Sequence, residues 1–119
     1  MQQDRIHKLF QAIDAMNPDG FVSFLTEDAE FRFGSYPSVH GRAGIFATVD
    51  GFWKTIAGSQ HALVRHWVDG NQVAVQGLVT YTRKDGRVVD VPFVNVFEMR
   101  GDLIHRYLIH IDNTPVFAP

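Results

Sequence analysis

The chain has 119 residues, 45% of them hydrophobic and 20% charged, with a formal net charge of −2 and no cysteine. That length makes one domain, residues 1–119, with a single buried core. The missing cysteines exclude disulfides, thiolate catalysis and Cys-ligated zinc, and a slightly acidic chain without a basic run argues against nucleic acid or an anionic membrane as partner.

The first half has helical periodicity. Ile6, Leu9, Phe10, Ile13 and Met16 predict one amphipathic helix. In "NPDG", Asn17 is a good N-cap and Pro18 suits the first helical position of a second, short helix carrying Phe21, Phe24 and Leu25. A short strand is expected at Ala29–Phe33, then a loop, "GSYPSVHGR". Ile45, Val49, Phe52, Trp53 and Ile56 predict a third helix, closed by Gly58. The start, "MQQDRIHKLF", has no apolar stretch of signal-peptide length, and nothing approaches the ~18 apolar residues of a membrane span, so a cytoplasmic protein is expected.

The second half switches to a period of two. "HALVRHWV", "QVAVQGLVTYTR", "RVVDVPFVNVFE" and "LIHRYLIHI" are strand-like runs joined by "DGN", "KDG" and "RGD". Helices followed by a meander predict an α+β fold: three N-terminal helices packed on a curved antiparallel sheet. With two-residue turns, Leu78 pairs with Phe93 and Gln76 with Asn95. One sheet face then holds His61, Leu63, Trp67, Gln76, Leu78, Phe93, Asn95, Arg106, Leu108, His110 and Asp112. The other holds Val75, Val79, Tyr81, Val94, Val96, Tyr107, Ile109 and Ile111. Burial logic alone sets the second, apolar face against the helices. Three helices cannot cover both faces, so a second subunit on one of them is expected.

Three stretches, "LTEDAEFRF" leading into "HGRAGI", "VAVQGLVTYTRKDGRVVDVPFVNVFEMRGDLI" and "IHIDNTP", give the chain a family likeness. It resembles the nuclear transport factor two-like superfamily, in its SnoaL-like and steroid delta-isomerase-like branch, over nearly its whole length. The resemblance implies a cone-shaped fold whose sheet wraps the third helix and leaves a pocket. It turns the mixed face inward and leaves the apolar face outside for a homodimer. It also excludes the steroid isomerase mechanism. The base position of those enzymes falls at Phe33, the acidic oxyanion-hole residue at Phe93 and its tyrosine partner near Leu9, all apolar here. SnoaL-like cyclases use an aspartate assisted by histidine, for which Asp112 and His110 are the nearest counterparts.

On that orientation Asp112 would move a proton and His110 would orient or assist it; the alternative is a structural histidine and a strand-end cap. Gln76 and Asn95 would position a carbonyl or hydroxyl, or pair with each other. Arg106 would clamp a carboxylate, or pair with Asp112 or Glu98. Trp53, Phe52, Trp67, Phe93 and Leu78 would form the apolar wall or plain core. Tyr36 and His40 would stand at the pocket mouth. His105 and His110 lie on opposite faces of one strand and cannot share an ion, so no metal and no cofactor are expected. The sequence therefore predicts a small, largely apolar ligand carrying a carbonyl or hydroxyl, either bound only or transformed by cofactor-independent isomerisation, cyclisation, dehydration or hydrolysis.

Overall fold

Ile6, Leu9, Phe10 and Ile13 recur at the spacing that keeps one helix face inward, and all four are buried on α1 (Gln3–Asp14). Asn17 starts α2 (Pro18–Val22) by accepting from the Gly20 N–H at 3.1 Å. The computed structural model describes residues 1–119. After α2 come β1 (Leu25–Phe33), β2 (Val39–His40) and α3 (Arg42–Trp53). Then follow β3 (Gly58–Asp69), β4 (Gln72–Thr82), β5 (Val88–Arg100), β6 (Leu103–Ile111) and a short α4 (Thr114–Phe117). No helix is long and apolar enough to cross a membrane.

The six strands form one sheet in the order β2-β1-β6-β5-β4-β3. β3 to β6 make the expected antiparallel meander, whereas β1 lies parallel to β6 and β2 caps the edge. Three element boundaries differ from the sequence reading. β1 begins four residues before the expected Ala29, α3 ends at Trp53 so that Gly58 opens β3, and α4 follows the last strand.

The hairpin registers depart from the two-residue arithmetic in ways that decide which face is inside. Between β4 and β5, Arg83 N–H donates to Arg87 O at 2.8 Å around Lys84, Asp85 and Gly86, with Gly86 at φ 87°. This is a three-residue loop closed by a left-handed glycine, so Gly77 and not Leu78 faces Phe93. Between β5 and β6 the turn is Gly101-Asp102, but a bulge between Glu98 and Met99 shifts the pairing by one, setting Asn95 opposite Ile109. A second bulge, at Val64, sets His61 opposite Val79.

β4 and β5 keep their expected alternation, but β5 changes partners, and the bulge in β3 puts His61 and Trp67, expected on one face, on opposite faces. Val75, Val79, Tyr81, Val91, Phe93, Asn95, Phe97 and Tyr107 are all buried on the face under the helices. Gln76, Leu78, Val94, Val96, Arg106, Leu108 and His110 lie on the outer face. The expectation that the mixed face of β4 and β6 turns inward is therefore corrected. The apolar residues of those strands pack against the helices because burying them removes more apolar surface from water.

Candidate functional site

The inward face and the helices leave a narrow chamber of about 50 Å³. Its walls are aromatic: Phe21, Phe31, Phe33, Phe52, Trp53 and Phe93. Its polar groups are few: Ser59, His61, Tyr81, Asn95 and Tyr107. Phe31, Phe33, Val49 and Phe52 also wall a wider vestibule of about 300 Å³, rimmed by Tyr36, Pro37, Val39, Thr48, Thr55, Asn113 and Phe117. Tyr36 and Phe117 are more than half exposed there. Chamber and vestibule thus share an aromatic wall as the narrow and the wide part of a cone, and Asn95 lines the narrow part.

His61 lines the chamber, and His61 and Asp14 together line a separate open groove beside α1. Asp14, the last residue of α1, accepts from the His61 ring at 2.6 Å (Nδ1 to Oδ1), from the His61 backbone N–H at 2.8 Å and from Ser59 Oγ at 3.1 Å. A carboxylate only accepts, so Nδ1 carries the proton and Nε2 is the ring nitrogen left for another partner. Burial on its own would raise the Asp14 carboxyl. The hydrogen bonds from the His61 ring and backbone outweigh that and hold it below its ordinary value. The imidazole packs beside Phe10 and Phe93, its ring centroid 5.1 and 5.2 Å from theirs, and the two phenyl rings meet each other at 5.9 Å. Orientation by a carboxylate and confinement by two aromatic rings fix the ring in one pose.

On the adjoining wall, Asn95 Nδ2 donates to the Tyr107 hydroxyl at 3.3 Å. Asn95 Oδ1 is buried and has no hydrogen-bond partner in the protein. Burial, followed by the negative charge of nearby groups, pushes the Tyr107 and Tyr81 phenols well above the ordinary range, so both keep their protons. The chamber therefore presents two neutral phenols, one amide, the Ser59 hydroxyl and one carboxylate-held imidazole, and no Lys or Arg lines it.

Of the residues singled out in the sequence, Trp53, Phe93 and Asn95 line the chamber, Tyr36 the vestibule and Phe52 both. The others lie elsewhere. Asp112 is exposed, and its Oδ1 accepts from the Thr114 N–H at 3.0 Å and the Thr114 hydroxyl at 2.6 Å, capping α4. His110 is exposed on the outer face opposite Val94. Arg106 bonds Glu30 at 3.0 Å and reaches Glu98 at 3.6 Å, also outside. Gln76 and Leu78 share that outer face, so Gln76 is no neighbour of the Asn95 amide. Trp67 is half exposed at the far end of β3, and His40 lies on the β2 edge. The roles foreseen for Asp112, His110, Arg106, Gln76 and Leu78 in a pocket do not fit these positions: Gln76 and Leu78 depended on a two-residue turn where β4 and β5 are joined by a three-residue loop, and Arg106, His110 and Asp112 on a β5–β6 register that the bulge shifts.

Asp14 was not foreseen, although the sequence held a signal: it extends the Phe10 side of the α1 stripe by one turn, placing a carboxylate beside the core. His61 was counted as one residue of a face and, with His105 and His110, weighed and set aside as a metal ligand, with no catalytic role.

Residues 6–107 match the family described as the SnoaL-like domain. Among solved structures, an NTF2-like protein of unknown function from Burkholderia pseudomallei is 18% identical, with 99% of this chain and 100% of that one covered at a TM-score of 0.88. TerC, co-crystallised with polyporic acid, is 20% identical over 94% and 92% of the two chains, at a TM-score of 0.82. An LEH-like epoxide hydrolase from M. tuberculosis is 15% identical over 96% and 84%, at a TM-score of 0.79. At such identities the likeness establishes the fold, and fold does not fix function. No curated protein matches the sequence. The chain belongs to the SnoaL-like family and has the nuclear transport factor two-like fold.

Proposed function

We propose that this protein binds a small, largely apolar molecule bearing a carbonyl or hydroxyl in the cone, and acts on it as a cofactor-independent acid/base enzyme with His61 moving the proton. The observation that carries this reading is the His61–Asp14 pair set against an aromatic chamber. Asp14 fixes the tautomer and leaves Nε2 as the base, while Asn95, Tyr107 and Tyr81 supply neutral groups that orient a substrate oxygen. An apolar wall excludes water, which strengthens each of these hydrogen bonds. Removal of a proton beside a carbonyl needs no more than this: the base takes the C–H proton and a neutral donor meets the developing enolate oxygen. The co-crystallised polyporic acid of TerC is consistent with a cone that admits aromatic oxygenated molecules.

Deuterium exchange tests the reading. A panel of aromatic hydroxyketones is incubated in heavy water and followed by mass spectrometry for uptake at the carbon beside the carbonyl. The native protein should accelerate exchange of at least one member, and His61→Gln should lower that rate by about 100-fold or more. Ligands that bind the cone without any exchange would leave a binding protein and remove the catalytic role.

The outer sheet face is our candidate surface for a second copy. Ala74, Leu78, Val94, Val96 and Leu108 lie across it, none fully buried, and no helix of the chain covers it. Tyr107, Ile109 and Ile111, expected there from the sequence, face the chamber and take no part. Sedimentation at micromolar concentration should show a dimer that Val96→Asp dissociates.

A further inference from the structure

We propose that the group entering the narrow end of the cone is a neutral aromatic hydroxyl, whose O–H is donated to Asn95 Oδ1 while its oxygen accepts from Tyr107; this rests on the ligand-binding reading above and narrows it. Asn95 Oδ1 is the one buried side-chain polar atom of the chain without a hydrogen-bond partner. Native proteins leave few such atoms, because each costs free energy unless something meets it. Asn95 is 3% exposed and lines the chamber, so the cone is a space from which a partner for its amide can enter.

The neighbouring group sets the chemistry of that partner. One N–H of Asn95 Nδ2 is given to the Tyr107 oxygen at 3.3 Å, which leaves the Tyr107 O–H itself without an acceptor in the protein. A free acceptor beside a free donor matches a group that both donates and accepts, as a hydroxyl does. A ketone or ether would satisfy Tyr107 and leave Oδ1 unmet. A carboxylate would bring no proton for Oδ1 and would find no Lys or Arg in either cavity. The volumes set the shape: about 50 Å³ at the tip admits a hydroxyl head, and about 300 Å³ in the vestibule admits an aromatic body between Phe31, Phe33 and Phe52.

Equilibrium dialysis with four naphthalenes of one ring size tests the proposal: 2-naphthol, naphthalene, 2-acetylnaphthalene and 2-naphthoate. 2-Naphthol should bind about tenfold tighter than naphthalene and 2-acetylnaphthalene, with 2-naphthoate weakest. In Asn95→Leu, 2-naphthol should fall to the level of naphthalene, whose own affinity stays the same. Tyr107→Phe should lower the preference for 2-naphthol only in part, and the native ranking stands as a test even where a variant does not fold. If 2-acetylnaphthalene binds tightest, the amide presents its donor to the chamber and the hydroxyl assignment is overturned, with the ligand cavity intact. Tightest binding of 2-naphthoate, or an unchanged preference in Asn95→Leu, overturns it as well. If none of the four binds, the ligand-binding reading itself falls.

Discussion

The outer and inner faces of β5 and β6 satisfy their polar groups in opposite ways. Outside, Arg106 spans Glu30 and Glu98, Thr80 bonds Asp90 at 2.7 Å, and His110 meets water. Inside, only five polar side chains line the chamber, and each either has a fixed partner or stands ready for one. Solvent completes the hydrogen bonding of an exposed group at little cost, so a dense row of ionisable residues there implies no chemistry. A polar group under an aromatic wall has no such recourse, so its presence calls for a reason. Scarcity on the inner face is therefore more informative than abundance on the outer one.

Truncating adjacent residues of β6 puts the largest contrast between the faces. Tyr107 is 1% exposed, with ring centroids of Phe97, Phe21 and Phe31 at 4.6, 5.3 and 5.4 Å. Tyr107→Ala should destabilise the fold by about 3–5 kcal/mol, and Leu108→Ala, facing outward, by about 1 kcal/mol. Urea denaturation midpoints at an unchanged m-value would measure both. Equal losses would mean that the two faces are not distinguished by burial.

Two glycines probe the same contrast at lower cost. A Cβ at Gly77 would sit 2.5 Å from the Ala62 carbonyl oxygen and 2.8 Å from the Phe93 ring. The backbone of the bulged β3 cannot give way easily, so Gly77→Ala should lose about 2–3 kcal/mol. Gly51, exposed on α3, has no atom within 4 Å of its Cβ position, and Gly51→Ala should gain about 0.5–1 kcal/mol by restricting the unfolded chain. A neutral Gly77→Ala would argue against the close approach of β3, β4 and Phe93 that shapes the chamber.

Much of this architecture was legible in the sequence. The α1 stripe, the Asn17-Pro18 restart, the alternation within β4 and β5 and the helix-then-meander order all follow from local periodicity and turn chemistry. The pairing of faces between strands was not legible. Asp85-Gly86 serves a two-residue turn and a three-residue loop equally well, and nothing in the residues around Val64 or Glu98 announces a bulge. One such step moves every side chain of a strand to the other face relative to its neighbour. Asn95 and Phe93 reached the cavity because β5 was read in the phase it adopts, and His110 and Asp112 missed it because β6 was not. The preference of Tyr81, Tyr107, Ile109 and Ile111 for burial was the better guide on β4 and β6.

Asp14→Asn tests the inner pair through pH. Hydrogen bonds hold the Asp14 carboxyl below its ordinary value in the folded chain. Its ionised form therefore stabilises the fold above about pH 4, and that contribution disappears as pH falls through the lowered folded value. The variant should lose about 1–2 kcal/mol at pH 7, since the carboxylate is only 24% exposed. It should also show a shallower stability loss than the native protein below about pH 4. Exchange activity should fall by about tenfold, less than for His61→Gln, because the substituted amide can still accept from the ring while supplying no charge. Parallel acid limbs in variant and native protein would mean that the His61–Asp14 bond contributes little to the fold.

The smallest effects are expected where the sequence pointed most strongly. Asp112 meets solvent, and the Thr114 hydroxyl and N–H hold its carboxyl below the ordinary value. That shift stabilises the ionised form above about pH 4 and is lost on acidification, but water screens it and only the first turn of α4 depends on it. Asp112→Asn should therefore leave 2-naphthol affinity and hydroxyketone exchange unchanged within error, and His110→Ala should do the same. Neither side chain lines the chamber or the vestibule. The control that gives this result force is His61→Gln in the same assay, where the exchange rate collapses. If Asp112→Asn abolished exchange while His61→Gln preserved it, the reacting group would lie at the end of β6 beside the Asn113 and Phe117 rim, and the chemistry would belong to the mouth of the cone and not to its tip.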